Sequence, residues 1–210
     1  MRNGRRSWHN ESIIDQWKCK GKRLYVTALS EVARGLNESG VETEILSLGT
    51  KAVADCMGCG KCRETGACVF GDIVNEIVEK AKTADGFVFG SPVYYAHASG
   101  RLLSVLDRAF YSGGKEFAFK PGAAVVSARR GGTTASLEVI NKHFSINQMP
   151  IVTSNYWNMV HGNTPDEVRQ DKEGMRTMYN LGRNMAWMIK CIQAGPEHPQ
   201  NEKESTNFIR

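Results

Sequence analysis

No stretch of this 210-residue chain is apolar for long enough to cross a membrane, and its basic opening residues are not followed by the apolar segment of a secretion signal. The expectation is a cytoplasmic protein with no membrane partner. Charge does not favour a polyanion either. The net charge of +5 is concentrated in residues 1 to 25, which carry seven basic and two acidic side chains, and the other 185 residues balance 20 against 20. A neutral body argues against nucleic acid as a partner. The chain also lacks two Cys/His pairs separated by a dozen residues, the usual pattern of structural zinc. Its length and expected compartment do not suit a disulfide framework.

What is present is a dense run of thiols. Cys56, Cys59, Cys62 and Cys68 fall within thirteen residues, interleaved with Gly58, Gly60 and Gly66. Such spacing can converge on one inorganic object only if the backbone curls around it, and glycine supplies the positive φ this requires. Four thiolates on one compact loop suit a [4Fe-4S] cluster, whose bacterial ferredoxin loops begin with the same C-x2-C-x2-C. Zinc is the second reading. A CxxC dithiol accounts for two of the cysteines and leaves two idle.

Residues 1 to 24 show no helical or strand period. From there the chain alternates. Leu29, Val32, Ala33 and Leu36 mark a helix ending near Gly40, Val41 to Leu48 alternates like a strand, and Ile73, Val74, Ile77, Val78 and Ala81 mark a second helix with Asp72 as N-cap. Gly86 to Gly90 and Gly122 to Val126 read as buried parallel strands. Helices follow through Leu102 to Phe110 and Leu137 to Phe144. Pro150 to Thr153 reads as the last strand. A capping box at Thr164 and Glu167 opens the last helix, whose stripe from Met175 to Ile192 is core packing. The pattern predicts an α/β, three-layer α/β/α fold on a doubly wound parallel sheet, which binds ligands beyond the carboxyl ends of its strands.

Two loops at such ends carry suitable chemistry. Ser91-Pro92-Val93-Tyr94-Tyr95 offers exposed backbone beside flat rings, which suits a planar heterocycle, although a Ser-Pro turn and core-edge tyrosines would look the same. Ser127 to Thr134, with Arg129, Arg130, Gly131 and Gly132, leads into a helix N-terminus that could hold an anion or carbonyl edge, or serve as a plain helix entry. Four-cysteine coordination leaves His97 and His161 as structural residues.

From about Thr27 to Gly195 the chain resembles the flavodoxin-like NAD(P)H-dependent FMN reductase superfamily, iron-sulfur flavoprotein type. The resemblance rests on the four-cysteine loop, Gly90 to Tyr95, Ser127 to Thr134, and Asn155 to Gly162. It implies FMN against Ser91, Pro92, Val93, Tyr94, Tyr95, Ser127, Arg129, Arg130, Gly131 and Gly132. It also implies a [4Fe-4S] cluster on Cys56, Cys59, Cys62 and Cys68, NAD(P)H as a donor, and a homodimer or homotetramer that brings cluster and flavin within electron-transfer range. The implied function is a flavin-dependent oxidoreductase between NAD(P)H or a one-electron carrier and a small-molecule or protein acceptor, with no catalytic side chain beyond the redox centres. The rival is a non-catalytic iron-sulfur or zinc protein without flavin.

One departure is large. The family begins with a central strand ending in a Gly-Ser-rich phosphate loop, and residues 1 to 24 contain no such text, so the first strand is expected to be missing or non-native. Reading Ile13 to Arg23 one base forward forces glycine across Trp17-Lys18, and Asn or Ser across Gln16-Trp17 and Lys18-Cys19. The other codons allow an apolar Leu-Leu-Ile run before them. Residues 1 to 24 are therefore expected to be out of frame, residues 25 to 195 the FMN and iron-sulfur domain, and residues 196 to 210 a polar tail.

Overall fold

The computed structural model describes residues 13–15, 24–202, 204–206 and 208. The apolar repeat Leu29, Val32, Ala33 and Leu36 forms the buried face of α1 (Leu24–Glu38). Gly40, at φ +79°, closes that helix with the Val41 amide returning to the Leu36 carbonyl. Next come β2 (Ile45–Ser47), a single turn α2 (Cys62–Thr65) and α3 (Ile73–Ala81), whose Asp72 cap accepts from the Val74 amide. The remaining elements are β3 (Phe87–Tyr94), β4 (His97–Ala98), α4 (Gly100–Phe117), β5 (Gly122–Ala128), α5 (Thr133–Ile146), β6 (Met159–His161), α6 (Pro165–Gln170) and α7 (Lys172–Ala194).

The strands form a parallel sheet in the order β2-β1-β3-β5-β6, with the short β4 returning antiparallel along the end of β3. This is the order 2-1-3-4-5 once the β4 hairpin is set aside, the doubly wound arrangement predicted. One apolar core packs α3, α4 and α5 on one face, around Phe87, Phe89, Phe117 and Phe144. The other packs α1 and α7 on the opposite face, around Val88, Val125, Leu29 and Met178.

The central position is not empty. Ile13–Asp15 form β1, paired with Ile45–Ser47 on one side and with Val88 and Phe89 on the other. The missing or non-native first strand is thus a three-residue strand from the segment whose shifted reading gives the apolar run. The expected phosphate-loop position, residues 16–23 with Cys19, lies outside the described residues.

Several boundaries differ from the sequence reading. The strands read over Gly86 to Gly90 and Gly122 to Val126 run on to Tyr94 and Ala128, so Ser91 to Tyr94 and Ser127 lie in strands and not in loops. The strand expected over Val41 to Leu48 is only Ile45–Ser47. Pro150 to Thr153 contributes a single bridge, Ile151 to Gly122, and the edge strand is β6, paired with Val126 to Ala128 after residues 153–157 leave the sheet between the Val152 and Asn158 hydrogen bonds to β5. The last helix is two: the capping box at Thr164 opens α6, and Asp171 stops it and caps α7 through the Gly174 amide.

Candidate functional site

Backbone geometry curls the cysteine loop as the glycine pattern requires. Gly58, Gly60 and Gly66 take φ of +67°, +70° and +71°, and the Gly66 amide closes the turn of α2 onto the Cys62 carbonyl. Cys56, Cys59, Cys62 and Cys68 consequently line one cavity of about 470 Å³, rimmed by Met57, Phe70 and Tyr111. All four are free thiols, as is Cys191 on the exposed side of α7. Among the described residues, no three His, Cys, Asp or Glu side chains converge closely enough for one metal ion. The donor set and the size of the cavity fit a multi-atom cluster spread between the thiols.

The two inner cysteines are held differently. The Cys68 amide donates to Asn75 Oδ1 at 2.8 Å, its carbonyl accepts from Asn75 Nδ2 at 2.9 Å, and its Sγ accepts from Arg108 Nε at 3.2 Å. Cys62 instead directs its thiol at the Tyr111 carbonyl, 3.7 Å away. The Arg108 side chain is fully covered. Its fork meets Asp72 at 2.7 and 2.9 Å, Nη1 also donates to the Ala54 carbonyl at 3.2 Å, and Phe70 lies over the guanidinium at 4.5 Å. Burial pushes the Asp72 carboxyl up, but the Arg108 hydrogen bonds, the Val74 amide and the guanidinium charge outweigh it and hold the group below its ordinary value of 3.8. Arg108 and Asn75 escaped sequence reasoning, and Asp72 was read only as a cap. The available signal was a cation at a core position of α4, beside the apolar stripe of Val105, Leu106 and Ala109.

The other candidate residues gather at the carboxyl ends of β3 and β5, where Pro92 pairs with Ser127. Ser91 is fully buried and satisfied: its Oγ donates to the Pro92 carbonyl and accepts from the Ser99 amide. It braces the hairpin and presents no free hydroxyl. Pro92 and Val93 are half-buried in β3, Tyr94 is exposed, and Tyr95 with Ala96 makes the two-residue turn into β4 at φ of +49° and +59°. Such positive φ is strained for residues with a Cβ, and Tyr95 stands wholly in solvent. Ser127 Oγ is buried without a hydrogen-bond partner, an atom that a bound polar group would satisfy. Arg129, Arg130 and Gly131 are exposed, and a Cβ on Gly131 would meet nothing. Gly132, at φ +91°, presses against the Ala96 backbone and joins the two loops. An orphaned hydroxyl beside an open glycine turn fits the pyrimidine edge of a flavin.

The segment Asn155 to Gly162 divides. Tyr156 and Trp157 form an exposed edge-to-face pair in the stretch that leaves the sheet, while Asn155 accepts from Asn180 of α7 and His161 belongs to β6.

Comparison with known proteins agrees with these features. A family model described as NADPH-dependent FMN reductase matches residues 20–164. An iron-sulfur flavoprotein of Methanocaldococcus jannaschii is 35% identical over 171 residues, covering 78% of this chain and 89% of that protein. Among solved structures, a flavodoxin from the domain Archaea aligns with a TM-score of 0.57 at 13% identity, over 86% of this chain and 99% of that one. RosB with its bound intermediate OHC-RP aligns at 0.66 and 12%, over 95% and 92%.

Proposed function

Because the chain belongs to the NADPH-dependent FMN reductase family, as one of its iron-sulfur flavoproteins, and is a flavin oxidoreductase, we propose that it pairs FMN with a [4Fe-4S] cluster on Cys56, Cys59, Cys62 and Cys68. The observation carrying this reading is that those four cysteines line one cavity, with positive-φ glycines between them. FMN exchanges two electrons with a hydride donor and an iron-sulfur cluster passes one at a time, so a protein holding both converts between the two currencies. NAD(P)H is the proposed donor, a small molecule or protein the acceptor, and a homodimer or homotetramer the functional unit.

The chain's own residues have separable tasks. The amides of Gly131 and Gly132, in the open turn after β5, offer donors at the rim of the flavin site. Arg129 and Arg130, which make no ion pair among the described residues, supply positive charge for the reduced pyrimidine edge. Pro92 and the hairpin tip shape a wall for the ring. The four cysteines bind iron as thiolates, and Asn75 fixes the Cys68 backbone from both sides.

The phosphate end is the weak point. Residues 16 to 23 carry no Gly-Ser-rich loop, and the out-of-frame reading of residues 1 to 24 accounts for this. Losing three charge-assisted hydrogen bonds at ~1.5 kcal/mol each costs about 4.5 kcal/mol, roughly a thousandfold in FMN affinity.

The test is a visible spectrum of anaerobically purified protein, with iron, acid-labile sulfide and released flavin assayed on the same sample. Brown protein with about four irons and four sulfides per chain supports the reading. Stoichiometric zinc, or a metal-free protein after anaerobic reconstitution, refutes the cluster.

A further inference from the structure

Arg108 is an expensive residue to bury. Its guanidinium is fully covered, and the carboxylate that neutralises it, Asp72, is itself about a third exposed. A salt bridge alone does not account for the site, since an apolar pair of similar volume is commonly as stable. The detail that calls for a function is the direction of Nε–H. The two terminal nitrogens hold Asp72 and the Ala54 carbonyl, which fixes the guanidinium plane and leaves the Nε–H aimed at Cys68 Sγ, 3.2 Å away. Phe70 covers one face of the group and keeps water from competing for it.

We propose that Arg108 is a positioning residue that tunes the reduction potential of the iron-sulfur centre, through a charge-assisted N–H···S hydrogen bond to the Cys68 thiolate. This rests on the cluster reading given above and adds a role for a side chain outside the cysteine set. Adding one electron to a cluster puts one more negative charge on the iron, sulfide and thiolate atoms together, with no bond broken. A donor fixed on one of those sulfurs is worth more in the reduced state than in the oxidised state and raises the potential. Asp72 is a separate part of the device. It cancels the long-range charge of Arg108, so the short directional bond is what remains. Cys68 is therefore the tuned ligand. Among the other three, Cys62 directs its thiol at a carbonyl, a contact that a metal-bound thiolate cannot keep as a donor.

Lysine is the informative replacement. Arg108→Lys keeps the charge and can pair with Asp72, but a point ammonium cannot hold a carboxylate, a carbonyl and a sulfur in one plane. The wild type and the variant, both reconstituted anaerobically with iron and sulfide, are compared by iron and sulfide content and by redox titration of the cluster signal. The expected result is the same cluster content and a midpoint lower by about a tenfold change in the reduced-to-oxidised ratio, ~59 mV for a one-electron couple. A second variant guards against misfolding. The pair Asp72→Asn, Arg108→Met leaves no unpaired charge and should show the same fall. A loaded variant with an unchanged midpoint overturns the proposal. Loss of the cluster from both variants while the wild type loads also overturns it, because Arg108 is then a folding residue only. A wild type that takes up no iron and sulfide refutes the cluster reading itself, a different outcome from either.

Discussion

Gly35 of α1 and Gly182 of α7 face each other across the contact between their helices, each lying directly against the other helix's backbone. A Cβ built on Gly35 collides with the Tyr179 carbonyl, and one on Gly182 with the Val32 carbonyl. The approach covers one face of the sheet and fixes α1, which follows directly on the expected phosphate-loop position. Gly182→Ala is expected to force the helices apart at a cost of about 2–4 kcal/mol, because backbone cannot yield as a side chain does. Urea unfolding measures this, and a loss under ~0.5 kcal/mol would mean that the helices slide freely.

Asp72→Asn separates charge from capping. Asparagine caps a helix as well as aspartate does, so the hydrogen bond donated by the Val74 amide is kept while Arg108 loses its counter-charge. The expected loss is about 2–3 kcal/mol at neutral pH, below the full value for a buried pair because Asp72 is partly open to solvent.

The same carboxylate sets a pH dependence. Its folded pKa lies below the ordinary 3.8, so its stabilisation is complete above that value and is lost as the pH falls through the lowered one. The stability gap between wild type and Asp72→Asn should therefore be constant from about pH 5 to 7 and close at still lower pH, below the ordinary carboxylate range. Equilibrium unfolding across that range reads it directly.

Gly132→Ala tests the junction of the two loops proposed to hold the flavin. The residue sits at φ +91° against Ala96, so a methyl group meets both an unfavourable backbone conformation and the hairpin tip. A stability loss of about 1–3 kcal/mol is expected. The rise in melting temperature produced by saturating FMN should shrink as well, which a thermal scan with and without FMN records.

Replacing residues 13 to 23 with the reading one base forward should strengthen FMN binding roughly a thousandfold, the value of three phosphate hydrogen bonds. Fluorescence quenching on titration with FMN measures it. Sequencing the gene decides the premise: stop codons or charged residues in place of the Leu-Leu-Ile run end it.

Much of the fold was legible because its long elements have strong periods. Helices α1, α3 and α4 fall where the pattern put them, and the apolar strands β3 and β5 begin there but run on, to Tyr94 and Ala128. The hidden parts were short or exceptional. β6 spans three residues, too few to show an alternation. Pro92 made the end of β3 look like a loop, yet β1 pairs with β3 only as far as Phe89, so beyond it the missing donor costs no ladder bond on that side. The cysteine cradle was visible in its glycines. Its support was not, because Arg108 is forty residues from Cys68 in sequence, and a cation at a core position of a helix does not say which loop it meets. The pairing of Ser91 with the Ser99 amide was equally invisible, being a contact across a hairpin whose Tyr-Ala turn carries no Gly or Asn signal.

Both outer strands of the sheet, β2 and β6, are three residues long, and the β6 edge is further broken where residues 153–157 leave the sheet. Among the described residues, a foreign strand seeking unpaired amides would find no template longer than a single turn of pleat on either side. Sheets of neighbouring molecules therefore have little means of fusing edge to edge, whether into a continuous assembly or into an aggregate during folding. Among the described residues, helical faces and loops are the surfaces left for association of copies, and a substitution there leaves the strands undisturbed.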